Sequence, residues 1–235
     1  MDWEDSPQRK LLRERMVQLQ LRERGIGDPR VLAAMAEVPR HWFCASGTAD
    51  EEAYGDFPLP IGWGQTISQP LMVADMLQQM RLTGPETVLE IGTGSGYNAA
   101  LLSRLATRVV SLEILPELAE SARLRLQRGG FRNVEVYEAD GTLGWTGAAP
   151  YDSIVVTAGA PMIPPALLEQ LKPAGRLVIP VGNLLAQTLL VVRRTADGFI
   201  TEEHSGCRFV PLLGRDGWQP AADWTRDDDK RGRGW

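Results

Sequence analysis

Between Val88 and Tyr97 the chain reads Val-Leu-Glu-Ile-Gly-Thr-Gly-Ser-Gly-Tyr, a short apolar strand that runs through alternating glycines into a helical pattern. A strand followed by a glycine turn and a helix on the sheet face commits the next strand to a right-handed parallel crossover, and few folds accept that unit. Glycine lets such a turn enter the left-handed region and brings backbone amides close to a ligand. The spacing is Gly-x-Gly-x-Gly rather than the Gly-x-Gly-x-x-Gly of dinucleotide binding, so the loop favours a nucleoside over a pyrophosphate.

The pattern continues on both sides of the loop. Helical periodicity over Leu71 to Met80, Tyr97 to Ala106, Pro116 to Arg128 and Pro165 to Leu171 alternates with strand-like runs at Thr87 to Ile91, Arg108 to Ile114, Val134 to Tyr137, Tyr151 to Thr157 and Gly175 to Val181. Such alternation predicts an α/β, doubly wound, mainly parallel sheet covered on both faces. Thr188 to Arg193 and Phe199 to Glu203, joined by Ala196-Asp197-Gly198, predict a C-terminal antiparallel hairpin. Before the core, Ser6-Pro7 and Asp28-Pro29 each combine an N-cap with a proline at the first helical position. They predict an N-terminal helical extension, the first helix carrying Leu11, Leu12, Met16 and Leu19 on its apolar stripe to Gly25, the second burying Val31, Leu32 and Met35. His41 to Gln69 shows no period and reads as a long irregular segment. The expected organisation is therefore an N-terminal covering region over 1–69, a core over 70–218 and a loose charged tail over 219–235.

Composition removes several classes. The formal charge of −5 disfavours a nucleic-acid binder relying on a basic field. Cys44 and Cys207 are far apart and form no Cys-x-x-Cys pair, and His41 and His204 are the only histidines, so no metal site and no serine-histidine relay is expected. Both thiols read as reduced. The N-terminal MDWEDSPQRK has no apolar signal core and no later stretch is apolar throughout, so a cytoplasmic protein without a membrane span is expected.

Three strand ends supply the ligand chemistry. Glu90 ends the strand before the glycines and Glu113 ends the next one, about 20 residues on, where a carboxylate accepts from both hydroxyls of a ribose. After the third strand, Asp140 is placed to accept from an adenine amino group, with Gly141 leaving room for the base. Together these residues resemble the S-adenosylmethionine-dependent methyltransferases of the Rossmann-like class. The run after the fourth strand, Val156 to Pro161, lacks the base-stacking aromatic of amino-methylating nucleic-acid enzymes, and neither Cys44 nor Cys207 follows proline as a cytosine nucleophile would.

The long segment narrows this further. Tyr54-Gly-Asp-Phe-Pro-Leu-Pro-Ile-Gly-Trp-Gly-Gln-Thr-Ile-Ser-Gln-Pro70, Val38-Pro-Arg-His41, Leu171 to Gly182 and Arg208-Phe-Val-Pro-Leu212 resemble the protein-L-isoaspartate O-methyltransferase family over roughly Leu11 to Gly214. The resemblance implies methyl transfer from S-adenosylmethionine, leaving S-adenosylhomocysteine, to the free carboxylate of isoaspartyl residues in damaged proteins and peptides. It implies Ser68 as the active-site serine, Thr66, Ile67, Ser68, Val210, Pro211 and Leu212 as peptide-binding, and, with the reading of the strand ends, Gln69, Glu90, Gly92, Gly94, Gly96, Glu113, Asp140 and Gly141 as cofactor-binding; composition adds the expectation of no metal and no nucleic-acid partner, and short tails with a mild charge that of a monomer. Two departures stand out: Ala139 replaces the first glycine of the usual Gly-Asp-Gly, and Leu71 stands where many members carry an aromatic. Read without the family, Ser68 is an N-cap for a helix starting at Pro70, and Tyr54, Phe57 and Trp63 are packing aromatics. A relative dedicated to one peptide, methylating a normal aspartate, and a non-catalytic peptide-binding module are the competing functions.

Overall fold

Ser6 opens the first helix as its chemistry dictates, its hydroxyl accepting from Arg9 N at 3.3 Å with Pro7 at the first helical position. A computed structural model describes residues 3–219, so of the expected charged tail only Gln219 lies within the described residues. Helix α1 (Pro7–Arg15) passes into a π-helical turn, Met16–Leu21, and a 3-10 turn, Arg22–Arg24, before Gly25 ends the run at φ 100°. The wider π turn rotates the apolar face. Met16, Val17 and Leu21 are buried, whereas Leu11 and Leu19, placed inward by an ideal 3.6 period, are 56% and 48% exposed.

Asp28 caps α2 (Pro29–Glu37), accepting from Arg30 N at 2.8 Å and Val31 N at 3.3 Å, and Val31, Leu32 and Met35 face inward. The segment expected to be irregular contains a 3-10 turn (Arg40–Phe43), α3 (Asp50–Ala53) and a two-stranded hairpin, β1 (Leu59–Gly62) and β2 (Gln65–Ile67). Elements of three or four residues are too short to print a period, which is why the sequence pattern passes over them. Tyr54 packs, 3% exposed, with its hydroxyl between Arg13 and His41, while Phe57 and Trp63 stay partly exposed.

The core follows as α4 (Pro70–Met80), β3 (Thr87–Ile91), α5 (Tyr97–Leu105), β4 (Arg108–Glu113), α6 (Pro116–Arg128), β5 (Val134–Glu138), β6 (Tyr151–Val156), α7 (Pro165–Glu169), β7 (Leu171–Gly182), β8 (Gln187–Thr195) and β9 (Gly198–Cys207). The seven-stranded sheet has the order β5-β4-β3-β6-β7-β8-β9, parallel from β5 to β7 and antiparallel through β8 and β9. Alternate strand residues feed two cores. Val88, Val109, Val155 and Val178 pack with α2, α4 and α5, while Leu89, Ile91, Val110, Leu112, Ile154, Leu177 and Ile179 pack with Leu167 of α7 on the other face. No helix among the described residues is long and apolar enough to cross a membrane.

Candidate active site

From β3 the chain steps outward through β4 to β5 and then returns to lay β6 and β7 on the other side of β3, and at such a reversal a crevice opens beyond the carboxyl ends of the strands. The turn after β3 forms one wall. Gly92, Gly94 and Gly96 adopt φ 92°, 53° and 90°, which side chains with a Cβ rarely do. Close packing adds a second demand: a Cβ at Gly92 would lie 2.5 Å from Thr157 Oγ1, the hydroxyl that donates to Gly92 O at 2.6 Å. Thr157, the first residue after β6, thus stitches the two strands flanking the crevice.

Glu113, at the end of β4, folds back over the loop and accepts from Gly94 N at 2.8 Å and from Leu115 N at 3.1 Å. These contacts leave lone pairs on both oxygens for further donors. Burial pushes its carboxyl above the usual range, while the backbone donors pull the other way. Glu90 lies beneath, fully buried, accepting from Asn98 Nδ2 at 2.8 Å and from Ser111 Oγ at 2.5 Å, with Ser111 in turn 2.5 Å from Thr93 Oγ1. Burial raises Glu90 to about 7 against the pull of those two donors. It braces the first turn of α5 against β4 from inside.

The crevice spans about 560 Å³, part of it open to solvent, and is lined by Gly92, Gly94, Glu113 and Gly141 of the expected cofactor set, and by Thr66, Val210, Pro211 and Leu212 of the expected peptide set. Glu90, Gly96, Asp140, Ile67, Ser68 and Gln69 are not in its lining. Gly96 begins α5, and its bare Cα faces Ala122 and Leu126, where a Cβ would sit at 3.4 Å. The space beside Gly141 is taken by Ile91, which a Cβ would meet at 2.3 Å, so this glycine serves packing between strand ends. Asp140 accepts from Thr142 N at 2.9 Å and Thr142 Oγ1 at 2.6 Å on one oxygen, and from Arg215 N at 2.7 Å on the other.

Ser68 is half-buried in the stretch between β2 and α4, and it does not cap the helix: Gln69 holds the N-cap position without a side-chain bond. The service comes from Asp56, whose carboxylate accepts from Leu71 N at 3.1 Å and from Gln69 Nε2 at 2.8 Å, and pairs with Arg24. A carboxylate distant in sequence thereby does what an adjacent hydroxyl was expected to do.

Thr157, Gln65, Leu112, Ile114, Leu115 and Leu213 also line the crevice and were not singled out in the sequence. Their signal was position: Leu112 and Thr157 occupy the carboxyl ends of β4 and β6, where open α/β sheets bind ligands. Leu213 arrives because the C-terminal segment crosses the strand ends. Gly159 N donates to Val210 O and Leu212 N to Gly159 O, both at 2.8 Å, and Trp218 Nε1 donates to Gly159 O at 3.0 Å.

Among the described residues Glu113 is the one charged residue in the lining, and no lysine or arginine lines the space. Such a site repels a phosphate chain and suits a nucleoside carrying a cationic tail, with Leu112, Ile114, Leu115 and Leu213 as its apolar walls. Strand order, switch-point crevice and glycine turn closed by an acidic strand end define a Rossmann-like S-adenosylmethionine-dependent methyltransferase.

Within that class, the chain belongs to the protein-L-isoaspartate(D-aspartate) O-methyltransferase family, whose sequence profile matches residues 12–217. It is 57% identical over 208 residues to protein-L-isoaspartate O-methyltransferase 2 of Pelobacter propionicus, covering 88% of this chain and 92% of that one. With the protein-L-isoaspartate O-methyltransferase of Protochlamydia amoebophila it shares 54% identity over 87% of this chain and 98% of the other. A solved protein-L-isoaspartate O-methyltransferase structure, 29% identical, superposes with a TM-score of 0.78 over 87% of this chain, which spans 66% of that chain's length. The fold also matches a Plasmodium falciparum structure in complex with S-adenosyl-L-homocysteine, with a TM-score of 0.74 at 24% identity, over 86% of this chain and 98% of that one. The protein is accordingly an S-adenosylmethionine-dependent protein carboxyl methyltransferase of isoaspartyl residues.

Proposed function

We propose a division of labour in and around the crevice: Gly92, Gly94, Glu113 and Gly141 of its lining hold the cofactor, with Gly96, Asp140, Gln69 and Glu90 holding or bracing from outside the lining, and Thr66, Val210, Pro211 and Leu212 of the lining, with the neighbouring Ile67 and Ser68, place the isoaspartyl carboxylate. One observation carries it. One crevice is lined by the glycine turn and Glu113 together with Gln65-Thr66 and Val210 to Leu213, so the expected donor and acceptor residues share a common space.

When bound, S-adenosylmethionine supplies a methyl group made electrophilic by its sulfonium. The chain's own contribution is placement and dryness. Glu113 takes the ribose hydroxyls on the lone pairs left by Gly94 and Leu115. The α-carboxylate of an isoaspartyl residue has an ordinary pKa near 3.5, so it arrives ionised and no side chain has to remove a proton. That requirement agrees with a lining free of histidine. Charge is lost as the anionic oxygen meets the cationic centre, so the leucine and isoleucine walls favour the transition state by excluding water. Alignment of oxygen, carbon and sulfur contributes on the order of 7–11 kcal/mol in favourable intramolecular systems. Ser68 donates a hydrogen bond that positions the carboxylate and is itself not methylated.

The substrates are isoaspartyl sites in many damaged proteins, met by a monomer in the cytoplasm; the free thiols of Cys44 and Cys207 support a reducing compartment. The experiment is a methyl-transfer assay on paired peptides that differ only in a normal or an isoaspartyl linkage. Preference for the isoaspartyl isomer across unrelated sequences supports this reading, and preference for the normal isomer overturns it.

A further inference from the structure

At the opposite, amino-terminal edge of the sheet lies a second, open cavity of about 530 Å³ including the space at its mouth, lined by Met80, Arg81, Leu82, Glu86, Asp152, Ser153 and the Pro173 to Arg176 stretch of β7. Its charges are unevenly committed. Asp152 accepts from Thr87 N and pairs with Lys172 Nζ, each at 2.8 Å. Glu86 closes its own turn, accepting from Thr83 N at 2.8 Å, Thr83 Oγ1 at 2.7 Å and Gly84 N at 2.7 Å. The arginines have no such partners. Among the described residues the side chains of Arg81 and Arg176 make no hydrogen bond or ion pair, nor does that of Arg193, which stands directly opposite Arg176 in the antiparallel β7–β8 ladder.

Like charges opposed across a ladder destabilise the sheet, and this pair is held there with Arg81 added from the end of α4. Burial lowers the Arg176 guanidinium below its ordinary value, and Arg81 and Arg193 lower it further, with Glu202 on β9 the facing carboxylate that opposes them. Glu202 is itself half-exposed, 4.0 Å from His204. The backbone also invests in this rim. Arg81 sits at φ 52° and Ala174 at φ 64°, two of the three non-glycine residues in the left-handed region. Such conformations are costly for residues with a Cβ and persist where surrounding structure enforces them.

We infer that this cavity is a binding site for a tetrahedral oxyanion of the phosphate type, clamped between Arg81 and Arg176 with Arg193 adding charge. Planar guanidinium forks match two oxygens of such an ion, and a bound dianion removes the repulsion that the empty cluster carries. The crevice that takes the nucleoside has no basic residue among the described residues of its lining, so the two sites differ in ligand chemistry and lie at opposite ends of the strands.

The test is calorimetric titration of inorganic phosphate into the full chain at constant ionic strength set with sodium chloride, repeated with Arg81→Gln and Arg176→Gln. One saturable site per chain, weakened at least tenfold in each variant, supports the assignment. Absence of saturable heat in the unmodified chain, or an affinity in either variant within tenfold of the unmodified chain's, overturns it. Broadening of the phosphate ³¹P resonance by the unmodified chain, reversed by sulfate but not by chloride, gives a second readout that needs no variant; no broadening, or equal reversal by chloride, counts against the site.

Discussion

Glu90 and Ser68 show how little a residue's type says about its task until its surroundings are known. Glu90 ends an inner strand with no cation beside it, and its carboxyl keeps a proton up to about pH 7 that the unfolded chain gives up above about 4.5. The folded state therefore binds more protons between those values, and stability falls as pH rises through that window, by roughly 3 kcal/mol. Glu90→Gln removes this slope: urea midpoints measured from pH 4.5 to 7.5 decline for the parent chain and stay flatter for the variant. A matching decline in both would deny Glu90 that role. Ser68→Ala lowers the methyl-transfer rate more than it weakens S-adenosylhomocysteine binding. Asp140→Ala does the reverse, because its carboxylate, besides the adenine contact proposed for it, holds the Arg215 amide that pins the C-terminal segment. Calorimetry set beside steady-state rates separates the two, and indistinguishable profiles would collapse the proposed division of roles.

Among the elements, α4 is the one whose start depends on distant chain. Pro70 at the first helical position is local chemistry, but the exposed Leu71 amide is satisfied by Asp56, which also holds Gln69 and pairs with Arg24. Asp56→Ala should therefore cost about 1–2 kcal/mol of stability, as loss of a helix cap does, and lower kcat/KM by loosening the Gln65 to Gln69 stretch. Ser68→Ala, which removes no capping bond, should leave the unfolding free energy from urea titration within about 0.5 kcal/mol of the parent. A Ser68 variant as unstable as the Asp56 one would restore the serine as the cap. The hairpin β1–β2 that delivers Thr66 is likewise an element of context: three and four residues long, it has too few alternations to announce itself, and it turns through Gly62, Trp63 and Gly64, all at positive φ.

For the molecule as a whole, the crevice is closed by chain that has left the sheet. Trp218 bonds through its indole to Gly159 and through its amide to Leu212, tying the end of the described chain to the wall beside Val210 and Pro211. Trp218→Ala is expected to weaken S-adenosylhomocysteine binding and raise the peptide KM together, each severalfold, with a smaller change in kcat; titration and steady-state kinetics on the same preparation check this. A change in one constant alone would place the tryptophan outside the shared wall.

The parallel core was legible because its strands and helices are long enough to repeat their periods, and because glycine has few substitutes where Gly92 and Gly94 must turn left-handed. Glu113 was legible for the same kind of reason: a strand end about 20 residues past a glycine turn has one place to go in this topology. Three-dimensional packing alone settled the rest. It buried Glu90 and turned Leu11 and Leu19 outward through a π turn. It handed the cap of α4 to Asp56 and brought Thr157 and Leu213 to the crevice. Each of these depends on which distant segments meet, and local pattern carries periodicity and turn chemistry but not the identity of a neighbour many residues away.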